Sequence, residues 1–98
     1  MRRTSRITRN TAESLAIQAL AYLAEEPERL GIFLAASGVE PDTIRQAAAD
    51  PAFLAGVLDH VASSEELVLA FAAQADIAPE DVERARAALG GVWERETP

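Results

Sequence analysis

The chain has 98 residues, of which 49% are hydrophobic and 26% charged, a balance that supports one globular domain and little besides. It contains no cysteine, no lysine and a single histidine, which excludes a disulfide scaffold, a thiolate zinc site and a cysteine nucleophile. The net charge of −7 is uneven: residues 1–10 carry Arg2, Arg3, Arg6 and Arg9 and no acid, whereas residues 11–98 set five arginines against sixteen acids. An acidic body of this kind repels phosphate backbones and anionic membranes.

In chain order, residues 1–10 read as a basic, Ser/Thr-rich tail that lacks the apolar centre of a secretory signal. The first helix is predicted over Ala12 to Glu25, with Asn10 and Glu13 as a capping pair and Leu15, Ala16, Ala19, Leu20 and Leu23 as one apolar stripe. Proline then marks most of the later starts. Pro27, Pro41, Pro51 and Pro79 each precede a helical pattern, and proline fits the first helical turn, where an N–H would be unpaired anyway. A second helix is predicted over Pro27 to Ser37, ended by Gly38, and a third over Pro41 to Ala49. The fourth starts at Pro51 behind the cap Asp50 and buries Phe53, Leu54, Val57, Leu58 and Val61. Ser63 to Glu66 forms a capping box for a fifth helix that ends near Ala75. The sixth runs from Pro79 to Leu89 and is stopped by Gly90 and Gly91. No stretch alternates as a strand does. The expectation is an all-α bundle of six short helices over residues 11–91, with residues 92–98 as a C-terminal tail.

The halves match at a spacing of 38. Leu20 pairs with Leu58, Glu28 with Glu66, Phe33 with Phe71, Pro41 with Pro79 and Ile44 with Val82. Two tandem three-helix units follow, each too small to bury a core alone. The second half is the more apolar around the fifth helix, where Leu67 and Leu69 face Arg29 and Gly31, so that helix is expected at the centre.

Chemistry is sparse. His60 pairs with Tyr22 at spacing 38, and both sit at the edge of an apolar stripe, beside Gly56 and Gln18. That is the place of an amphipathic boundary residue. Asp59, one residue away, points about 100° round the helix from His60 and is poorly aimed at its ring. The acids at the helix starts suit the positive end of the helix dipole. No metal-ligand spacing, nucleophile elbow or phosphate loop occurs, so neither a cofactor nor a small-molecule substrate is expected, and the chain reads as non-enzymatic. The longest apolar run, Leu15 to Ala24, is interrupted by Gln18 and falls short of the ~20 residues a membrane span needs. A cytoplasmic setting is expected of a chain with no cysteine and no export signal.

Two functional readings remain. The first is a protein-interaction module, self-associating or with a protein partner, using the off-stripe residues Ile17, Ile32 and Leu69 and the tryptophan Trp93. The second is a DNA-binding regulator. Residues 33–48 resemble the helix-turn-helix of bacterial repressors, with Gly38, Val39, Thr43 and Ile44 at its turn and core positions. Leu34 departs from it, standing where a small residue is preferred. Arg45 and Gln46 would face the bases, and Arg2, Arg3, Arg6 and Arg9 would serve as an arm. The acidic body argues against nucleic acid as the partner.

The run Glu13-Ser14-Leu15-Ala16, with Gln18-Ala19-Leu20, Pro27-Glu28-Arg29-Leu30, Ala48-Ala49-Asp50-Pro51, Phe53-Leu54 and Val57-Leu58-Asp59, resembles a small bacterial family of alanine-rich helical proteins known only as a domain of unknown function. The resemblance covers Glu13 to Leu89. It implies a compact helical cytoplasmic protein and supplies no activity, ligand or catalytic residue.

Overall fold

Thr8 starts the first helix. Its hydroxyl accepts the Thr11 N–H at 3.1 Å, so α1 runs Arg9–Ala24 and begins three residues before the predicted start. Thr8 and Asn10 are both good caps, and the earlier one is used. Arg9 therefore lies in the first helical turn and not in a tail. The computed structural model describes the backbone of residues 8–95 and the side chains of residues 8–89.

α2 (Pro27–Ser37) keeps its predicted bounds. Gly38 ends it with φ +78°, and its N–H donates to the Leu34 carbonyl at 2.8 Å. The third predicted helix is broken in two: Pro41–Thr43 forms a 3-10 turn, and α3 (Ile44–Ala47) is a single α-turn. Asp50 accepts the Ala52 N–H at 3.0 Å and opens α4 (Pro51–Ala62). α5 (Glu65–Ala75) is capped by Ser64, which accepts the Leu67 N–H at 3.3 Å; the predicted box is displaced by one residue because the Ser63 hydroxyl instead donates to the His60 carbonyl at 2.6 Å. Asp76 ends α5 in the left-handed region at φ 61°. α6 (Pro79–Arg95) begins where predicted but runs through Gly90 and Gly91 and into residues 92–95. Each glycine lowers helix stability by only about 1 kcal/mol, which is not enough to end a helix unless the residue turns left-handed.

All the regular elements among the described residues are helical. α1, α4 and α6 pack against one another as the central layer, with α2 and α5 on the flanks. The central helix is therefore not the fifth, as the composition of the second half predicts. α6 takes that place by seating Val82, Ala85 and Leu89 against α1 and α4, while Leu69 on α5 stays half exposed. The core joins Ala12, Ala16, Ala19 and Leu23 of α1 to Leu54, Val57, Leu58 and Val61 of α4. The three alanines let the helices approach closely at little cost in side-chain entropy. Phe33 of α2 and Phe71 of α5 close the two flanks.

Candidate functional site

The flanks carry two grooves built on the same frame. Between α2 and α4 lies a groove of about 450 Å³. Its floor is aromatic. The buried Phe33 ring meets Phe53 at 5.7 Å and His60 at 5.2 Å between centroids, edge to face in both cases. Ala36 and Val39 line it from α2 and the following loop, Ala52, Gly56 and Asp59 from α4, and Ser63 from the cap that ends α4. α4 presents this row because Phe53, Gly56 and His60 recur at helical spacing along one edge of its buried stripe.

A smaller groove, about 220 Å³, lies between α1 and α5. Tyr22 meets Phe71 there at 5.7 Å. The seven residues lining it are Gln18, Ala21, Tyr22, Glu25, Phe71, Gln74 and Ala75. Each stands 38 positions from a residue lining the larger groove: in the same order Gly56, Asp59, His60, Ser63, Phe33, Ala36 and Ser37. The contact of Tyr22 with Phe71 thus corresponds to that of His60 with Phe33, with the halves exchanged.

The two differ in what fills them. In the smaller groove Gln74 donates from Nε2 to Glu25 Oε2 at 2.9 Å and bridges α5 to α1 across the opening. Arg29 lies over the Tyr22 ring, with its guanidinium 4.2 Å from the ring centroid and Nη1 donating to the Tyr22 carbonyl at 3.1 Å. In the larger groove the positions of Gln74, Glu25 and Gln18 are held by Ala36, Ser63 and Gly56, and the bridge is gone.

His60 is half-buried, and its ring faces the groove with Phe33 as neighbour. The neighbouring polar groups are turned elsewhere. Asp59 pairs with Arg86 at 3.3 Å, the Ser63 hydroxyl serves the His60 backbone, and the Ser37 hydroxyl donates to the Leu34 carbonyl at 3.3 Å. Among the described residues no protein group holds either ring nitrogen of His60, and no cluster of three or more His, Asp or Glu could hold a metal ion. Arg86 also grips Glu83. Its hydrogen bond, against a slight opposing effect of burial and with help from its charge, holds that carboxyl below the ordinary range.

The residues singled out in the sequence are not brought together here. Ile17, Ile32 and Leu69 are 49%, 63% and 50% exposed, on α1, α2 and α5, and none lines either groove. Apolar residues exposed singly are ordinary on a protein surface. Arg45 and Gln46 are exposed on α3, whose four residues span about 6 Å, against a DNA major groove about 12 Å wide. Arg9 is exposed at the start of α1. Arg2, Arg3 and Arg6 lie outside the described residues, as does the side chain of Trp93. The aromatic floor was legible only as core. The available signal was Gly56, a glycine inside a helix at the stripe edge, opposite Gln18 at spacing 38.

The described residues form a small all-helical bundle with an aromatic-floored groove between α2 and α4, and no described helix is long and apolar enough to cross a membrane. The family model described as "Protein of unknown function (DUF3572)" matches residues 9–92, so the chain belongs to that family. No curated protein and no solved structure matches the chain.

Proposed function

We propose that the chain is a non-enzymatic protein-interaction module that receives a partner segment in the groove between α2 and α4. One observation carries this reading: the larger groove has about twice the volume of its counterpart on the same aromatic frame, about 450 against 220 Å³, and lacks the side-chain bridge that spans the counterpart. Its volume falls within the range of about 300–1,000 Å³ that takes a drug-sized molecule, and its lining is apolar with a few polar groups at the edge. Around the His60 ring, the Ser63 and Ser37 hydroxyls are committed to backbone carbonyls and Asp59 to Arg86, so none of them orients the imidazole.

The matched grooves also support descent of both halves from one unit. α2 and α5 span 27–37 and 65–75, the left-handed caps fall at 38 and 76, and Pro41 and Pro79 open the next elements. The third elements have diverged, from one turn in α3 to the central helix α6. The absence of cysteine fits a cytoplasmic setting.

A selection of linear peptides against the protein tests the reading. Selected peptides should carry bulky apolar anchors and lose about tenfold or more in affinity, ~1.4 kcal/mol, when Ala36→Gln and Gly56→Gln install the side chains of the smaller groove. Peptides that bind wild type and the filled variant equally would contradict it. Retardation of random duplex DNA at low salt, unchanged by the filled variant, would favour the regulator built on residues 33–48 and the basic arm.

A further inference from the structure

The nature of the occupant can be narrowed, on the assumption that the groove is the docking site. We infer that the partner segment is basic: it sets two bulky apolar side chains about one helical turn apart into the groove between α2 and α4, and arginine or lysine at its rim.

The volume of about 450 Å³ exceeds what one anchor fills, and an amphipathic helix offers anchors at i and i+3 or i+4. Gly56 indicates that the space is kept for an incoming group. A Cβ built there meets nothing within 4 Å, so no close helix crossing requires glycine. A glycine inside a helix still costs about 0.5–1 kcal/mol relative to alanine. Gly31 has equally open space but lines no groove, and nothing in the structure explains it.

Charge decides the rest. Asp59 is the one acid among the residues lining this groove, and no arginine lines it; around it the stretch 33–63 holds Glu40, Asp42 and Asp50 against Arg45. The matching wall position in the smaller groove is Ala21, and the Asp59 side chain stays 70% exposed although it pairs with Arg86, which stands beside Gly56 and Asp59 on the α6 side. Ala36 and Ser37 belong to the last turn of α2, where the helix dipole is negative and favours a cation. A basic segment is favoured at Asp59 and at the end of α2; an acidic one meets repulsion at both.

Two synthetic helical peptides of about 16 residues provide the test, with identical leucine and phenylalanine anchors and either arginine or glutamate at the other non-alanine positions. Binding is followed by fluorescence anisotropy and by amide shifts of the full-length protein. The arginine peptide should bind, shift Gly56, His60 and Ser63, and lose about fivefold or more in affinity on Asp59→Asn or between roughly 50 and 300 mM salt. Unchanged thermal melting of Asp59→Asn keeps folding out of the comparison. If both peptides bind equally in the groove and Gly56→Gln removes both, the basic partner is overturned while the docking reading stands. If neither shifts a groove residue, both are overturned. If sedimentation shows a dimer that Gly56→Gln dissociates, the occupant is a second copy of this chain and the basic partner is likewise overturned.

Discussion

The groove between α2 and α4 and the groove between α1 and α5 share a frame and differ in their filling. Each has a phenylalanine floor, Phe33 or Phe71, and an amphipathic ring against it, His60 or Tyr22. The smaller groove has Gln18, Gln74 and Glu25 about its mouth, and the larger has Gly56, Ala36 and Ser63 at the same points. The difference teaches that the width of the opening depends on side chains, because the equivalent site in the same molecule is bridged and has about half the volume. It is a property of a few residues and can be reversed one at a time.

The largest expected effect is common to the two floors. Phe71→Ala and Phe33→Ala should each destabilise by about 3–5 kcal/mol, because both rings are almost fully buried. A loss under about 1 kcal/mol at either position in chemical denaturation would mean that its ring is not part of the core. Next comes the exchange of Gly56 and Gln18. Gly56→Ala should stabilise by about 0.5–1 kcal/mol, with open space for the methyl group, while Gln18→Gly should destabilise by a similar amount. A destabilising Gly56→Ala would mean that something in the fold needs the glycine. Gln74→Ala breaks the exposed bridge to Glu25 and should cost only about 0.5 kcal/mol. It should also widen the smaller groove.

The smallest effect lies outside both grooves and serves as a control. Glu83 is held below its ordinary range by Arg86, so its stabilising contribution is full above the ordinary carboxylate range, about pH 4.3, and is lost as pH falls through the lower folded value. The stability difference between wild type and Glu83→Gln should therefore be greatest near neutral pH and shrink in acid. It should also shrink with added salt, because the pair is exposed. A difference that grows in acid would contradict the assignment to Arg86.

Much of the architecture was legible because its signals are local. Pro27, Pro51 and Pro79 start helices, Gly38 ends one, and the stripes on α1 and α4 mark the faces that pack. What was not legible depends on competition or on tertiary contact. Thr8 and Asn10 compete for one cap. Gly90 and Gly91 fail to stop α6, which is held on the core just before them by Val82, Ala85 and Leu89. Composition favours α5 as the central helix, but α6 is the one that seats Val82, Ala85 and Leu89 against α1 and α4. The groove was hidden for a similar reason. Phe33 and Phe53 look like core in any helical pattern, and only the docking of α2 on α4 places the two rings beneath a groove.

The most direct test of the asymmetry is an NMR titration of the full chain with indole, an apolar ring with one hydrogen-bond donor and no charge. The account predicts saturable shifts at Phe33, Phe53, Gly56 and His60, with Tyr22, Phe71 and Gln74 unmoved. Equal shifts at both sets, or none at the first, would contradict it.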